Sequence, residues 1–265
     1  MSGSLQRIYA LVLRHIYLWR SSVMRLVDSI YWPAVQMVMW GFMTQYLLPQ
    51  ASFVAQAAGV LLSGLLLWEV VVRGNLSLSI AFLEEIWSRN LGHLFVSPIR
   101  SWELAAGIIV ASLLRTLLGM IPVSLMAWAF FGYSIYTLGL PLLAFFVILQ
   151  MFSWSIGLAM SGLVMRVGQS AESFAWAAVF VLMPVSGVYY PVAVLPHWLQ
   201  VVAWGLPPAY IFEGMRSIML EKTVQWDMLG IAFGLSAVYL VIGFQVFQWF
   251  FRSSRRVGSL LGQGE

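Results

Sequence analysis

The sequence predicts an all-α integral membrane protein of about six transmembrane helices. Three observations carry that expectation. Hydrophobic residues make up 61% of the 265 and charged residues only 9%, with a mean hydropathy of +0.88, where a soluble domain carries roughly 25% charged residues. Apolar windows recur from end to end, each near the roughly 20 residues that a helix needs to cross a hydrocarbon layer of about 30 Å. The few charges are sorted by side.

The elements follow in order. Residues 5–25 carry Leu5, Ile8, Tyr9, Val12, Leu13, Ile16 and Trp19 at helical spacing, punctuated by Arg7, Arg14, Arg20 and Arg25. That pattern suits an amphipathic helix in the membrane interface with arginines toward anionic headgroups; the alternative is an extension of the first span. Scattered basic residues and the lack of a small-residue cleavage site argue against a signal peptide. Span one is expected over 27–48, ending before Pro49, and span two over 57–83. Span three covers 104–131, closed by a turn at Gly132, and span four 138–164. Span five covers 172–190 and span six 228–251. The whole reads as one transmembrane domain over 1–265: an interfacial helix in 1–26, the six-span bundle in 27–251 and a tail in 252–265.

Charge placement orients the spans. With the N-terminus inside, the inner segments hold Arg7, Arg14, Arg20, Arg25, Arg89, Arg100, Arg166, Arg252, Arg255 and Arg256, and the outer ones only Arg216 and Lys222. The positive-inside rule then places both termini in the cytoplasm. Most tryptophans read as interfacial belts, Trp198, Trp204, Trp226 and Trp249 among them.

Some chemistry is excluded. The chain has no cysteine, hence no disulfide or thiolate metal site. His15, His93 and His197 are scattered without acidic partners at ligand spacing, so no metal site is expected. No nucleophile–base–acid or paired-carboxylate arrangement suggests a catalytic residue. Nothing points to nucleic acid; membrane lipid is the expected environment.

Two segments outside the spans stand out. The inner loop holds Glu84, Glu85, Trp87, Arg89, His93, Ser97, Pro98 and Arg100. It can form a short amphipathic helix that stops before Pro98, either docking a soluble partner or lying as a solvated loop. The outer segment 187–226 is too apolar for a free loop, yet broken by Pro191, Pro196, Pro207 and Pro208. Short helices that re-enter the outer leaflet under a cover of protein suit it. Tyr189, Tyr190, Pro191, Pro196, Trp198, Pro207, Tyr210, Glu213 and Arg216 would form a gate there.

Within the spans, Glu69, Arg73 and Arg115 are the ionisable residues to explain. Such residues are costly in a bilayer and pair or line a polar cavity. Glu69 and Arg73, four apart, share a helix face, and Glu69 and Arg115 lie at similar depth in antiparallel spans. Either pair is open, as a structural clamp or as a substrate contact.

These residues carry a resemblance. The run Leu91-Gly92-His93-Leu94-Phe95-Val96-Ser97-Pro98-Ile99, followed by Glu103 and Gly107, resembles the inner-loop motif of type-2 ABC exporter permeases. The same family is resembled by Ser186-Gly187-Val188-Tyr189-Tyr190-Pro191, Leu195-Pro196-His197-Trp198-Leu199, Pro207, Tyr210 and Glu213-Gly214-Met215-Arg216. The two motifs fall in the family's order, and the resemblance covers essentially the whole chain. It implies a half-transporter in a bacterial or archaeal cytoplasmic (inner) membrane. It also implies pairing with a second copy or a similar permease, and with two cytoplasmic ABC ATPase subunits that act on an inner coupling helix. The sequence departs from fused members of the family. It contains no Gly-x-x-x-x-Gly-Lys-Ser/Thr phosphate loop, and its one Lys is Lys222. No cofactor is expected on this chain, and ATP and Mg belong to the partner, so this chain is not expected to be an enzyme.

The resulting expectation is ATP-driven export of a hydrophobic or amphipathic cargo, drug-like or lipid-like, along a pathway between two copies lined by spans two and five. A lipid-linked polysaccharide is the alternative cargo. An ion-coupled secondary transporter using Glu69 is the alternative of another class, but it predicts internal repeats, and none is visible. A membrane enzyme acting on lipid lacks a catalytic constellation.

Overall fold

The computed structural model describes residues 3–47, 52–87, 99–168 and 172–257, which contain helices and no strand. In chain order the helices are α1 (Gly3–Arg20), α2 (Val23–Leu47), α3 (Ser52–Trp87), α4 (Ser101–Phe131), α5 (Leu140–Val167), α6 (Glu172–Val185), α7 (His197–Trp204), α8 (Pro207–Glu221) and α9 (Trp226–Val257). In lipid no water satisfies an exposed peptide group, so helices, which pair their own backbone, are the natural spanning element.

Among the described residues, four stretches are long and apolar enough to cross a bilayer: Gly59–Glu84, Ser101–Phe131, Leu140–Val167 and Trp226–Ser254. They correspond to the expected spans two, three, four and six. Span one falls on α2, which is 25 residues long with Pro33 inside it. Span five differs from expectation. The expected 172–190 helix ends at Val185 after 14 residues, about 21 Å at 1.5 Å per residue. Pro184 lies in its last turn, and Gly187 then takes φ +64°, a left-handed conformation that reverses the chain and that glycine adopts without steric cost.

The helices alternate in direction around α3. The Ser112 hydroxyl of α4 donates to the Gly74 carbonyl of α3, while Asn75 of α3 donates to the Ala175 carbonyl of α6. Close helix packing relies on small residues, as expected where lipid offers no hydrophobic drive for association. A Cβ on Gly157 of α5 would lie 3.0 Å from the Asn75 carbonyl oxygen, and one on Gly119 of α4 would lie 2.8 Å from the Ser29 carbonyl of α2. Gly243 of α9 lies against the Ser155 backbone of α5. Two apolar clusters fill the bundle, one at each end. Met37, Leu66, Phe145, Phe152 and Phe212 belong to one, and Leu11, Phe82, Ile108, Met165 and Phe247 to the other.

Helix α1 is separate from α2, parted by Ser21 and Ser22. Its buried stripe of Leu11, His15 and Trp19 packs on protein. Leu11 abuts Gly107 of α4, and Ile16, Trp19 and Arg20 face Leu114, Leu117 and Ile121. The helix therefore runs lengthwise beside the first half of α4. Its amphipathic period was visible in the sequence, but the surface that its apolar stripe covers is α4.

Candidate functional site

The intramembrane charges come together. The antiparallel register that sets Ser112 beside Gly74 brings Arg115 level with the turn between Glu69 and Arg73. The Glu69 carboxylate is buried, with Oε2 3.5 Å from Arg73 Nε. Both line a cavity of about 450 Å³ together with Arg115, Trp32, Gln36, Trp176 and Phe180. The cavity is bounded by α2, α3, α4 and α6. Trp32 and Phe180 are exposed on the outside of the bundle, so α2 and α6 carry its aromatic rim. An apolar wall with a few charged groups can hold an amphipathic molecule by its two unlike ends.

The outer segment folds into α7, α8 and the turn before them. Glu213 and Arg216 of α8 form an ion pair of 3.0 Å and together hold that turn. Glu213 Oε1 accepts the Val192 backbone N–H at 2.6 Å, and Arg216 Nη1 donates to the Gly187 carbonyl at 2.8 Å. Tyr190 donates to the Pro184 carbonyl at 2.7 Å, an acceptor at the end of α6. Tyr189 stacks on Trp40 of α2, with ring centres 4.8 Å apart. Pro207 occupies the first turn of α8, where its missing N–H costs nothing. Tyr210 donates to the Trp204 carbonyl at 2.9 Å, tying α8 to α7. Pro196 is the N-cap of α7. Pro191, Pro196 and Trp198 are exposed, whereas Pro207 and Arg216 are buried. Thus Glu213 and Arg216 hold the Gly187–Val192 turn, Tyr189 and Tyr190 within that turn reach α2 and the end of α6, and Trp198 stands apart on the exposed face of α7.

Among the inner-loop residues, Glu84 lies in the last turn of α3 and is half-buried. Arg100 is the N-cap of α4. Glu85 and Trp87 lie in the helix of α3, but their side chains fall outside the described residues, as do Arg89, His93, Ser97 and Pro98 altogether.

One contact was not anticipated. Glu103, quoted above only within a motif, is fully buried and accepts two hydrogen bonds from Arg7 of α1, from Nη2 at 2.6 Å and Nε at 2.9 Å. It also accepts the Arg100 backbone N–H at 2.9 Å. This fork clamps α1 to the first turn of α4, and the hydrogen bonding raises the Arg7 guanidinium above its ordinary value. A carboxylate three residues after an N-cap is a sequence-level sign of a capped helix start; its arginine partner 96 residues away has no such sign. Among the described residues, no group of His, Asp and Glu is arranged to hold a metal ion.

Compared with known proteins, residues 9–220 match the family model described as ABC-2 type transporter. No curated protein matches the chain.

Proposed function

Because this chain belongs to the ABC-2 type transporter family, and is thus a membrane-embedded ABC permease subunit, we propose that it exports a hydrophobic or amphipathic molecule, drug-like or lipid-like. The energy comes from two cytoplasmic ABC ATPase subunits, and the pathway forms between two copies. The carrying observation is the cavity of about 450 Å³ in which Glu69, Arg73 and Arg115 meet Trp32, Trp176 and Phe180. An amphiphile needs that combination, and a hydrophilic solute does not.

The end of the bundle with Arg7, Arg100, Arg166 and Arg252 faces the cytoplasm, and the end with Arg216 and Lys222 faces outward, since short loops rich in Arg and Lys stay inside. The segment from Glu84 to Arg100 then takes the motion of the ATPase. The Glu213–Arg216 network with α7 and α8 covers the far end of the pathway.

Proteoliposomes containing this chain and its ATPase, loaded with a fluorescent amphiphile, test the reading. Movement of the probe is expected only with ATP and the ATPase present. Movement by the chain alone, driven by a proton gradient and lost in Glu69→Gln, would overturn it in favour of an ion-coupled carrier.

A further inference from the structure

A second cavity, of about 570 Å³, opens between α4 and α5 with α3 as its floor. It shares neither α2 nor α6 with the charged cavity. Leu117 and Ile121 form one wall, and Leu143 and Val147 the other. Leu143, Val147 and Ile121 are exposed, so the groove opens sideways toward lipid. Its volume is that of a small-molecule site.

The polar groups at its edges decide what it takes. At one edge the hydroxyls of Ser124 and Tyr136 bond to each other at 2.8 Å. At the other, the Trp154 indole N–H donates to Ser112 at 3.3 Å. Gln150 lines the groove between them, 1% exposed, and neither its amide nitrogen nor its amide oxygen has a partner. Gln150 lies ten residues into α5, about 15 Å from its start, which is within the hydrocarbon layer. Buried amides find partners almost without exception; this one lies in the floor of the slot, its two polar atoms covered and its nitrogen beside Gly74 of α3.

We propose that the α4–α5 groove binds an apolar small molecule drawn from the bilayer, and that the covered Gln150 carboxamide turns into the groove to pair with its single hydrogen-bonding group. The apolar body lies along Leu117, Ile121, Leu143 and Val147, and the amide selects for one N–H, O–H or carbonyl at that depth. The site is independent of the pathway proposed above, so either can fail without the other.

The test uses the full-length chain in lipid nanodiscs and two probes of similar shape, N-phenyl-1-naphthylamine, which has one N–H, and 1-phenylnaphthalene, which has none. Fluorescence titration against empty nanodiscs should show saturable binding of the amine at one site per chain, about five- to tenfold tighter than the hydrocarbon, the range of one net hydrogen bond. Gln150→Leu should remove that preference while retaining hydrocarbon binding. Leu117→Trp, which fills the groove and leaves Gln150 in place, should abolish binding of both. Partition equal to that of empty nanodiscs, or equal affinity of the two probes for the unaltered chain, overturns the proposal whether or not either variant folds. A preference that survives in a folded Gln150→Leu protein does the same.

Discussion

Glu69→Gln removes the charge of the buried carboxylate while keeping its shape, and it takes that counter-charge away from Arg73. Glu69 is 3% exposed, and its Oε2 lies 3.5 Å from Arg73 Nε. At an effective dielectric constant of about 20, two unit charges at that separation attract by about 5 kcal/mol. Losing one member of a buried pair typically costs about 3–5 kcal/mol. The single long contact, together with the amide left by Gln, places the expected loss near the lower end, about 3 kcal/mol, or a fall in Tm on the order of 10 °C. The assay is thermal unfolding of the purified chain in detergent, followed by size-exclusion chromatography of the surviving fraction. Arg73→Met combined with Glu69→Gln should recover most of the loss, because no unbalanced charge then remains in the pair. Should Arg115→Met rescue Glu69→Gln while Arg73→Met does not, Arg115 is the principal counter-charge and the intrahelical pair is secondary. If neither double variant is more stable than Glu69→Gln alone, the charges do not compensate one another and the reasoning fails.

Two further outcomes are expected. Reversing Glu84 and Glu85 to Lys should abolish ATP-driven transport while membrane insertion and the amount of chain remain normal; unchanged transport with an intact ATPase complex would remove the segment from the coupling role. Gly157→Leu should force α3 and α5 apart, since even a Cβ there would sit 3.0 Å from both the Asn75 carbonyl oxygen and Leu78 Cβ, and overpacking of this kind costs about 1–3 kcal/mol. Gly230→Leu, where a Cβ meets nothing within 4 Å, is the matched control, and equal melting temperatures for the two variants would refute the close-approach argument.

The legible parts of this protein were those written along one helix. Apolar runs located α3, α4, α5 and α9, because the bilayer imposes a length and a composition on any segment that crosses it. The proline-broken stretch after Gly187 pointed to short helices, and α7 and α8 lie there. Glu213 and Arg216, three apart on one face, form their pair. Their use in holding the Gly187–Val192 turn was not legible, since the bonds reach back across more than twenty residues. The α6 end at Val185 was hidden by an apolar sequence that continues through Val188 and Tyr189. Hydropathy records that such residues avoid water, not whether they do so in a span or folded against α2 and α8.

By itself, then, the sequence determined the solvent of this protein and the faces on which its ionisable residues could meet. Only the tertiary structure decided that Arg7 forks onto Glu103, that Arg73 and Arg115 share one cavity with Glu69, and that Gln150 lies in the floor of a groove between α4 and α5. The physical reason is range. Hydropathy, periodicity and proline breaks act within a few turns of one helix, whereas these contacts depend on the register between helices, which small residues such as Gly74, Gly119 and Gly157 set by how closely they let two backbones approach.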